Sequence, residues 1–317
     1  MTSRETSPLK SIYQEKLLRF WKVANDIILD KEREIMLTMC SLLANGHLLI
    51  EDIPGVGKTT LVKMLSKLLG LKTSRIQFTN DLLPGDILGS SIFDPEKRNF
   101  IFHQGPIFSE LILADELNRA TPKTQSAFLQ VMEERKVTMD GQTHSLPHPF
   151  FIIATQNPRQ QIGTFSLPES QLDRFLMRIE LGHPSREAER KLLLGVSRES
   201  LLATLEPIFS AQDLIEIQKL VSQVHISEAI VDYIQDIIAM TRTTKDSGHG
   251  LSPRGALCLV SASRAWAFLK DRKMVLPEDV QAVAVSVMSH RLNPSEDLTG
   301  ETGKQISEEI LKSVMVD

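Results

Sequence analysis

The chain has 317 residues, 42% of them hydrophobic and 24% charged, enough for one large domain or two with a well-buried core. Its 36 Lys and Arg against 40 Asp and Glu leave a net charge of -4, which argues against a protein that lives on attraction to a phosphate backbone. The 16 glycines and 15 prolines exclude collagen-like and low-complexity architectures, and two distant cysteines, Cys40 and Cys258, exclude a disulfide framework. The opening residues 1–10 are polar, and no apolar run approaches the roughly 20 residues of a membrane span. The expectation is a cytoplasmic protein with no membrane span.

Residues 11–29 and 32–44 read as two helices. From there to about residue 180, short apolar runs at 47–50, 75–78, 111–114, 150–155 and 176–181 alternate with helical patterns. Apolar runs without polar alternation suit strands buried on both faces, and helices between them predict a parallel sheet. Two segments read as hairpins: Ile92-Phe93 and Phe100-Ile101-Phe102 around the turn 94–99, and 136–139 and 142–146 around Asp140-Gly141. After Gly182-His183-Pro184 only helices are expected, with starts marked by Ser210, by Ser252-Pro253 and by Pro277-Glu278-Asp279. The division this predicts is 1–45 as helices leading into the core, 46–182 as an α/β core with two hairpin insertions, and 183–317 as a small all-α domain.

The chemistry concentrates at strand ends. Between the run 47–50 and a helix over 60–69 lies the loop Pro54-Gly55-Val56-Gly57-Lys58-Thr59-Thr60. Gly55 and Gly57 let backbone N–H groups turn inward, the helix N-terminus adds positive potential, Lys58 supplies a point charge and Thr59 a hydroxyl for Mg²⁺. A lysine at a helix N-terminus is unfavourable by about 0.3–1 kcal/mol unless an anion joins it. The strict G-x-x-x-x-G-K-[ST] pattern fails at its first glycine, which is Asp52.

Leu111-Ile112-Leu113-Ala114-Asp115-Glu116 ends a buried strand in two acids, which are costly there unless a cation or water uses them. Asp115 would hold the water shell of Mg²⁺ and Glu116 would orient and deprotonate the attacking water. Ile152-Ile153-Ala154-Thr155-Gln156-Asn157-Pro158 ends another strand, and the Asn157 amide can reach a γ-phosphate or that water. Arg174 is expected on a short helix before the last strand, with Arg178 as its rival, and Arg254 in the first turn of a later helix. Arg254 there faces the same dipole penalty as Lys58, and a bound phosphate would remove it; the plain alternative for either arginine is a salt bridge.

These motifs, with Gly105-Pro106-Ile107-Phe108, Asn118-Arg119-Ala120 and Glu133-Glu134-Arg135, resemble the AAA+ ATPases, and within them the MoxR-like family, over nearly the whole chain. The resemblance implies a P-loop NTPase fold, a parallel sheet with flanking helices followed by a small all-α lid. It makes the Gly55-to-Thr60 loop Walker A, Asp115-Glu116 Walker B, Asn157 sensor 1, Arg174 the arginine finger and Arg254 sensor 2. It further implies ATP and Mg²⁺, a homo-oligomeric ring, usually a hexamer, and chaperone-like activation or assembly of other protein complexes. A von Willebrand factor A domain protein is the implied partner. Asp30-Lys31 stands where relatives commonly carry Gly-Gln, while Ile27 and Ile28 remain able to line an adenine pocket.

Other readings fit less well. A GTPase needs an Asn-Lys-x-Asp segment and a transporter ATPase a Leu-Ser-Gly-Gly signature, and neither occurs. A small-molecule kinase leaves the helical domain with Arg254 unexplained. A nucleic-acid motor of the same fold is the sharper rival, with Lys97, Arg98 and His103 on the first hairpin, but the net charge offers it no general basic surface. An ATP-binding scaffold with little hydrolysis would not need both Glu116 and Arg174. His144 and His148 lack an acid at ligand spacing, and Trp21, Phe20 and the 11 methionines read as packing.

Overall fold

The structure, a computed structural model, describes residues 8–157, 163–195, 197–244, 247–292 and 301–315. Pro158, the last residue of the third motif, and residues 1–7 of the polar start lie outside them.

Two helices, α1 (Pro8–Ile27) and α2 (Glu32–Leu43), precede β1 (Leu48–Glu51), and α3 (Lys58–Leu69) follows it. Then come β2 (Thr73–Gln77), a short α4 (Pro84–Leu88), the hairpin β3 (Gly89–Asp94) and β4 (Asn99–Gln104), and β5 (Leu111–Asp115). A 3-10 turn, Leu117–Arg119, leads to α5 (Pro122–Glu134), the hairpin β6 (Lys136–Met139) and β7 (Gln142–Ser145), β8 (Phe151–Gln156), α6 (Glu169–Leu172) and β9 (Met177–Ile179). The remainder is helical: α7 (Arg186–Leu194), α8 (Arg198–Ala203), α9 (Ala211–Ser222), α10 (Glu228–Thr243), α11 (Pro253–Leu269), α12 (Pro277–Met288) and α13 (Glu301–Ser313).

Five strands form one parallel sheet in the order β2-β5-β8-β1-β9. The apolar runs become central strands because the period of two divides them between two cores. Leu48, Ile50, Leu111, Leu113, Phe151 and Ile153 face the layer of α1, α2, α3 and the C-terminal helices. Leu49, Ile112, Ala114, Ile152 and Ala154 face the layer of α5, with Phe128, Leu129 and Met132. The strand expected at 75–78 differs. It forms as β2, one or two residues earlier, at the sheet edge, where Thr73, Arg75 and Gln77 meet solvent and only Ile76 is buried. Phe78, just past it, is buried edge-on to Phe128.

Both hairpins form as separate two-stranded sheets. They touch: the rings of Phe102 and His144 stack with centroids 4.3 Å apart. The three helix starts read from sequence are present, with Ser210 accepting the Asp213 N–H and Ser252 the Gly255 N–H at 3.0 Å. Helix α2 sits between the sheet and the C-terminal helices, packing on β9, α9 and α11, so one apolar cluster runs through both parts. No helix among the described residues is long and apolar enough to cross a membrane.

Candidate active site

Helix α3 begins at Lys58, two residues earlier than the expected helix, behind Gly57 as its N-cap. No side chain caps it, so its first N–H groups stay available to a ligand. Gly55 and Gly57 adopt φ of 88° and 98°, and a Cβ at either would meet nothing within 4 Å. Glycine is thus required there by backbone conformation, not by crowding, as in an open cradle. Lys58 is buried, and its Nζ donates to the Asp52 carbonyl at 2.7 Å and to Asn157 Oδ1 at 3.5 Å. Desolvation lowers its pKa, against the opposing pull of Asp52, Asp115 and Glu116.

Asp115 and Glu116 share one hydroxyl. Thr155 Oγ1 donates to Asp115 Oδ1 at 2.6 Å and accepts the Glu116 N–H at 2.9 Å. Glu116 holds a left-handed φ of 56°, and its carboxylate receives Asn157 Nδ2 at 3.2 Å, Gln77 Nε2 at 3.0 Å and Arg119 at 2.9 Å. Arg75 pairs with Asp115 Oδ2 at 2.7 Å from an exposed position. Asn118 Nδ2 fixes the Asn157 carbonyl at 3.1 Å. Lys58, Asp115, Glu116 and Asn157 therefore form one connected group at the C-terminal ends of β1, β5 and β8, where ligands of open parallel sheets bind.

Asp52, the departure from the motif, is a structural anchor. Its carboxylate accepts the Ile53 N–H at 2.8 Å and the N–H groups of Leu181 and Gly182 at 2.7 and 2.6 Å. The loop is thereby tied to the segment leading out of β9. Asp30 and Lys31 grip the next residues, through Ser185 N and the His183 carbonyl. Beside them lies a cleft of about 210 Å³ lined by Ile27, Ile28, Lys31, Gly55, Thr60 and Pro184.

The two arginines meet each other, away from that group. Arg174 lies beyond the end of α6, not on it, and its Nε is 3.0 Å from Glu133 Oε2. Arg254, at the start of α11, pairs with Glu133 Oε1. The anion that relieves Arg254 of its helix-dipole penalty is thus Glu133. Among the described residues, no hydrogen bond or ion pair joins either arginine to Lys58, Asp115, Glu116 or Asn157. Arg178, the rival, is buried in β9 against Glu51 at 2.8 Å and Glu180 at 2.6 Å.

Sequence reasoning gave no role to Thr155, Gln77, Arg75 or Glu133. Thr155 and Glu133 stand inside stretches already singled out. Glu133 carried a further signal, an acid in the last turn of a helix, where the macrodipole opposes it.

Residues 47–177 match the model of the ATPase family associated with various cellular activities (AAA), and residues 239–310 that of the AAA lid domain. The chain is 42% identical to the uncharacterized protein YeaC of Bacillus subtilis over 92% of each chain. It is 38% identical to the chaperone MoxR1 of Mycobacterium tuberculosis, covering 90% of this chain and 77% of that one. Its fold matches a crystal structure from Cytophaga hutchinsonii, described as that of a candidate ATPase, with a TM-score of 0.87, 36% identity, and coverage of 98% and 97% of the two chains. Sheet order, helical C-terminal part and relatives agree: the chain belongs to the MoxR-like family of AAA+ ATPases.

Proposed function

We propose that this chain hydrolyses ATP with Mg²⁺ at a site completed by a neighbouring copy, in a head-to-tail hexameric ring. In this reading residues 46–182 are the ATPase core, 183–317 the lid and 1–45 the helices leading in. The loop from Pro54 to Thr60 cradles the phosphates, and Ile27, Ile28 and Pro184 cover the base. Thr59 and Asp115, a hydroxyl and a carboxylate, are the hard oxygen donors that suit magnesium. When bound, the ion neutralises charge on the phosphate oxygens. Glu116 takes the proton of the attacking water, Asn157 positions that water, and Lys58 holds the γ-phosphate.

The observation that carries the trans reading is the division of the charged residues into two groups. Lys58, Asp115, Glu116 and Asn157 are linked to one another, whereas Arg174 and Arg254 share Glu133 elsewhere. An arginine pair held together outside its own subunit's linked group suits a neighbour's nucleotide. A heterologous interface of this kind generates a ring when its rotation closes.

The ring would act as a cytoplasmic, chaperone-like factor that activates or assembles a partner complex, with a von Willebrand factor A domain protein as partner. The first hairpin favours a protein over a nucleic-acid client: Phe93 and its cross-strand partner Phe100 are exposed on one face and Ile92 on the other, apolar side chains that offer nothing to a phosphate backbone. Phosphate release per subunit, measured across protein concentration, tests the reading. The expected rate climbs and saturates. A non-zero rate that stays constant into the range where the chain is monomeric would overturn the shared site.

A further inference from the structure

We infer that Glu133 is a positioning residue that braces Arg174 and Arg254 as one unit for a neighbour's phosphates, an inference that rests on the shared-site reading above.

Glu133 lies in the last turn of α5, beside Glu134 and at the negative end of the helix. An acid there is opposed by the macrodipole, so it needs cations nearby to be comfortable. It has two. Arg174 reaches Oε2 from the turn before β9, and Arg254 reaches Oε1 from the start of α11. Each carboxylate oxygen serves one guanidinium, so the group is a bridge between two arginines and leaves the trio with a net positive charge.

The way each arginine is held favours a brace over a resting lock. Arg174 meets Glu133 through charge alone: its Nε lies 3.0 Å from Oε2 without making a hydrogen bond, and its two terminal nitrogens have no protein acceptor among the described residues. Arg254 uses one terminal nitrogen and keeps Nε and the other free. A guanidinium anchored by part of its fork still offers donors to a phosphate, with much of its rotamer freedom already lost.

The surroundings hold the brace at both ends. Asp173, next to Arg174, accepts Arg291 Nε from just beyond α12 at 2.7 Å and the hydroxyl of Ser252, the N-cap of α11, at 3.0 Å. Arg291 also donates to the carbonyls of Asp173 at 3.0 Å and Phe175 at 2.6 Å. The end of α5 is fixed in turn by Arg135, whose guanidinium donates to Asn45 Oδ1 at 2.8 Å and its carbonyl at 2.7 Å. Glu133 therefore stands on an anchored helix end, and the turn carrying Arg174 is tied to the N-cap of α11, the helix that carries Arg254.

The test is a double-mutant cycle on the full-length protein, with phosphate release from Mg·ATP at protein concentrations that saturate the specific rate. Glu133→Gln should lower kcat about tenfold or more while KM for ATP stays within about twofold, because only the placement of the arginines changes. Glu133→Asp, which keeps the charge but shortens the reach, should fall between it and the wild type. In an Arg174→Ala background, Glu133→Gln should add little further loss, since without Arg174 no paired unit is left for Glu133 to brace. Thermal unfolding checks that each variant is folded, and Glu133→Asp carries the same cycle if Glu133→Gln is not. Wild-type kcat in a folded Glu133 variant, or a loss that multiplies that of Arg174→Ala, overturns the inference alone. A wild-type protein that releases no phosphate at any concentration instead sinks the ATPase reading, and the brace with it.

Discussion

Thr155 Oγ1 lies 2.6 Å from Asp115 Oδ1, and the same oxygen accepts the Glu116 N–H at 2.9 Å. One hydroxyl on β8 thus sets both acids at the end of β5. Thr155→Val keeps the shape of the side chain and removes both bonds. Partners of this kind are worth on the order of 10–100-fold in activity. Phosphate release should fall by that order, and Thr155→Ser should restore most of it.

Glu116 and Lys58 should separate hydrolysis from binding. Glu116 bonds to Asn157, Gln77 and Arg119, and among the described residues no hydrogen bond joins it to the glycine loop, so Glu116→Gln removes the base while leaving the cradle in place. Its expected loss of kcat is about 10²–10⁴-fold, with ADP affinity close to that of the wild type. Lys58→Ala removes the buried ammonium beside Asn157 and should weaken nucleotide binding itself. Calorimetric titration with ADP distinguishes the two. Equal loss of affinity in both variants would contradict the division of roles.

Restoring the motif should harm the protein. Asp52→Gly gives the phosphate loop the glycine its general pattern prefers, but removes the acceptor of Leu181 and Gly182 N–H. Hydrogen bonds to a charged group contribute about 1.5–3 kcal/mol, so the variant should unfold at lower denaturant concentration by at least one such bond. Asp52→Asn, which keeps an acceptor oxygen, should lose less. An unchanged midpoint for Asp52→Gly would show that the anchor is dispensable.

How much of this was legible depended on where the interactions run. The central strands could be read because β1, β5 and β8 are buried on both faces and carry unbroken apolar runs. The glycine loop, the acid pair and Asn157 could be read because each motif is local. Edge strand β2 misled, since polar Thr73 and Ser74 belong to it while apolar Phe78 does not. Thr155 acts across strands, and its role requires the sheet register that sets β8 beside β5. Glu133 joins residues that only the tertiary fold assembles, from the turn before β9 and the start of α11. Asp52 looked like a lapse in a pattern because its partners lie at the far end of the core.

His47 supplies a dependence on pH. It is buried, accepts the Ile152 N–H at Nδ1 over 3.1 Å, and can donate from Nε2 to the Met132 carbonyl at 3.2 Å. Burial, with Arg135 nearby, pushes its pKa down to about 3. The ring is neutral in the folded protein but takes a proton near its ordinary pKa when unfolded. Its stabilisation is therefore fully present above the unfolded value of about 6.5 and is lost as pH falls toward 3, by at most about 1.4 kcal/mol per pH unit. The denaturant midpoint should decline between pH 7 and 5, and His47→Gln should flatten that slope even if it lowers stability at pH 7.

The division of the site between subunits leads to a complementation experiment. Arg174→Ala leaves Lys58, Asp115 and Glu116 in place, and Lys58→Ala leaves Arg174 on Glu133. Each homogeneous assembly lacks one half of every site, and loss of an arginine finger alone is worth about 10³–10⁵ in rate. In a mixture, some interfaces set an intact phosphate loop from the Arg174→Ala chain against an intact arginine from the Lys58→Ala chain. Those interfaces are complete, so the mixture should release phosphate faster than either variant alone, with a maximum near equal proportions. If both halves instead served the same subunit, every chain in the mixture would stay defective and the rate would remain the weighted mean of the two. Glu116→Gln mixed with Lys58→Ala is the control: both changes fall in the same half of the site, no interface in the mixture is complete, and the rate should stay the weighted mean of the two variants.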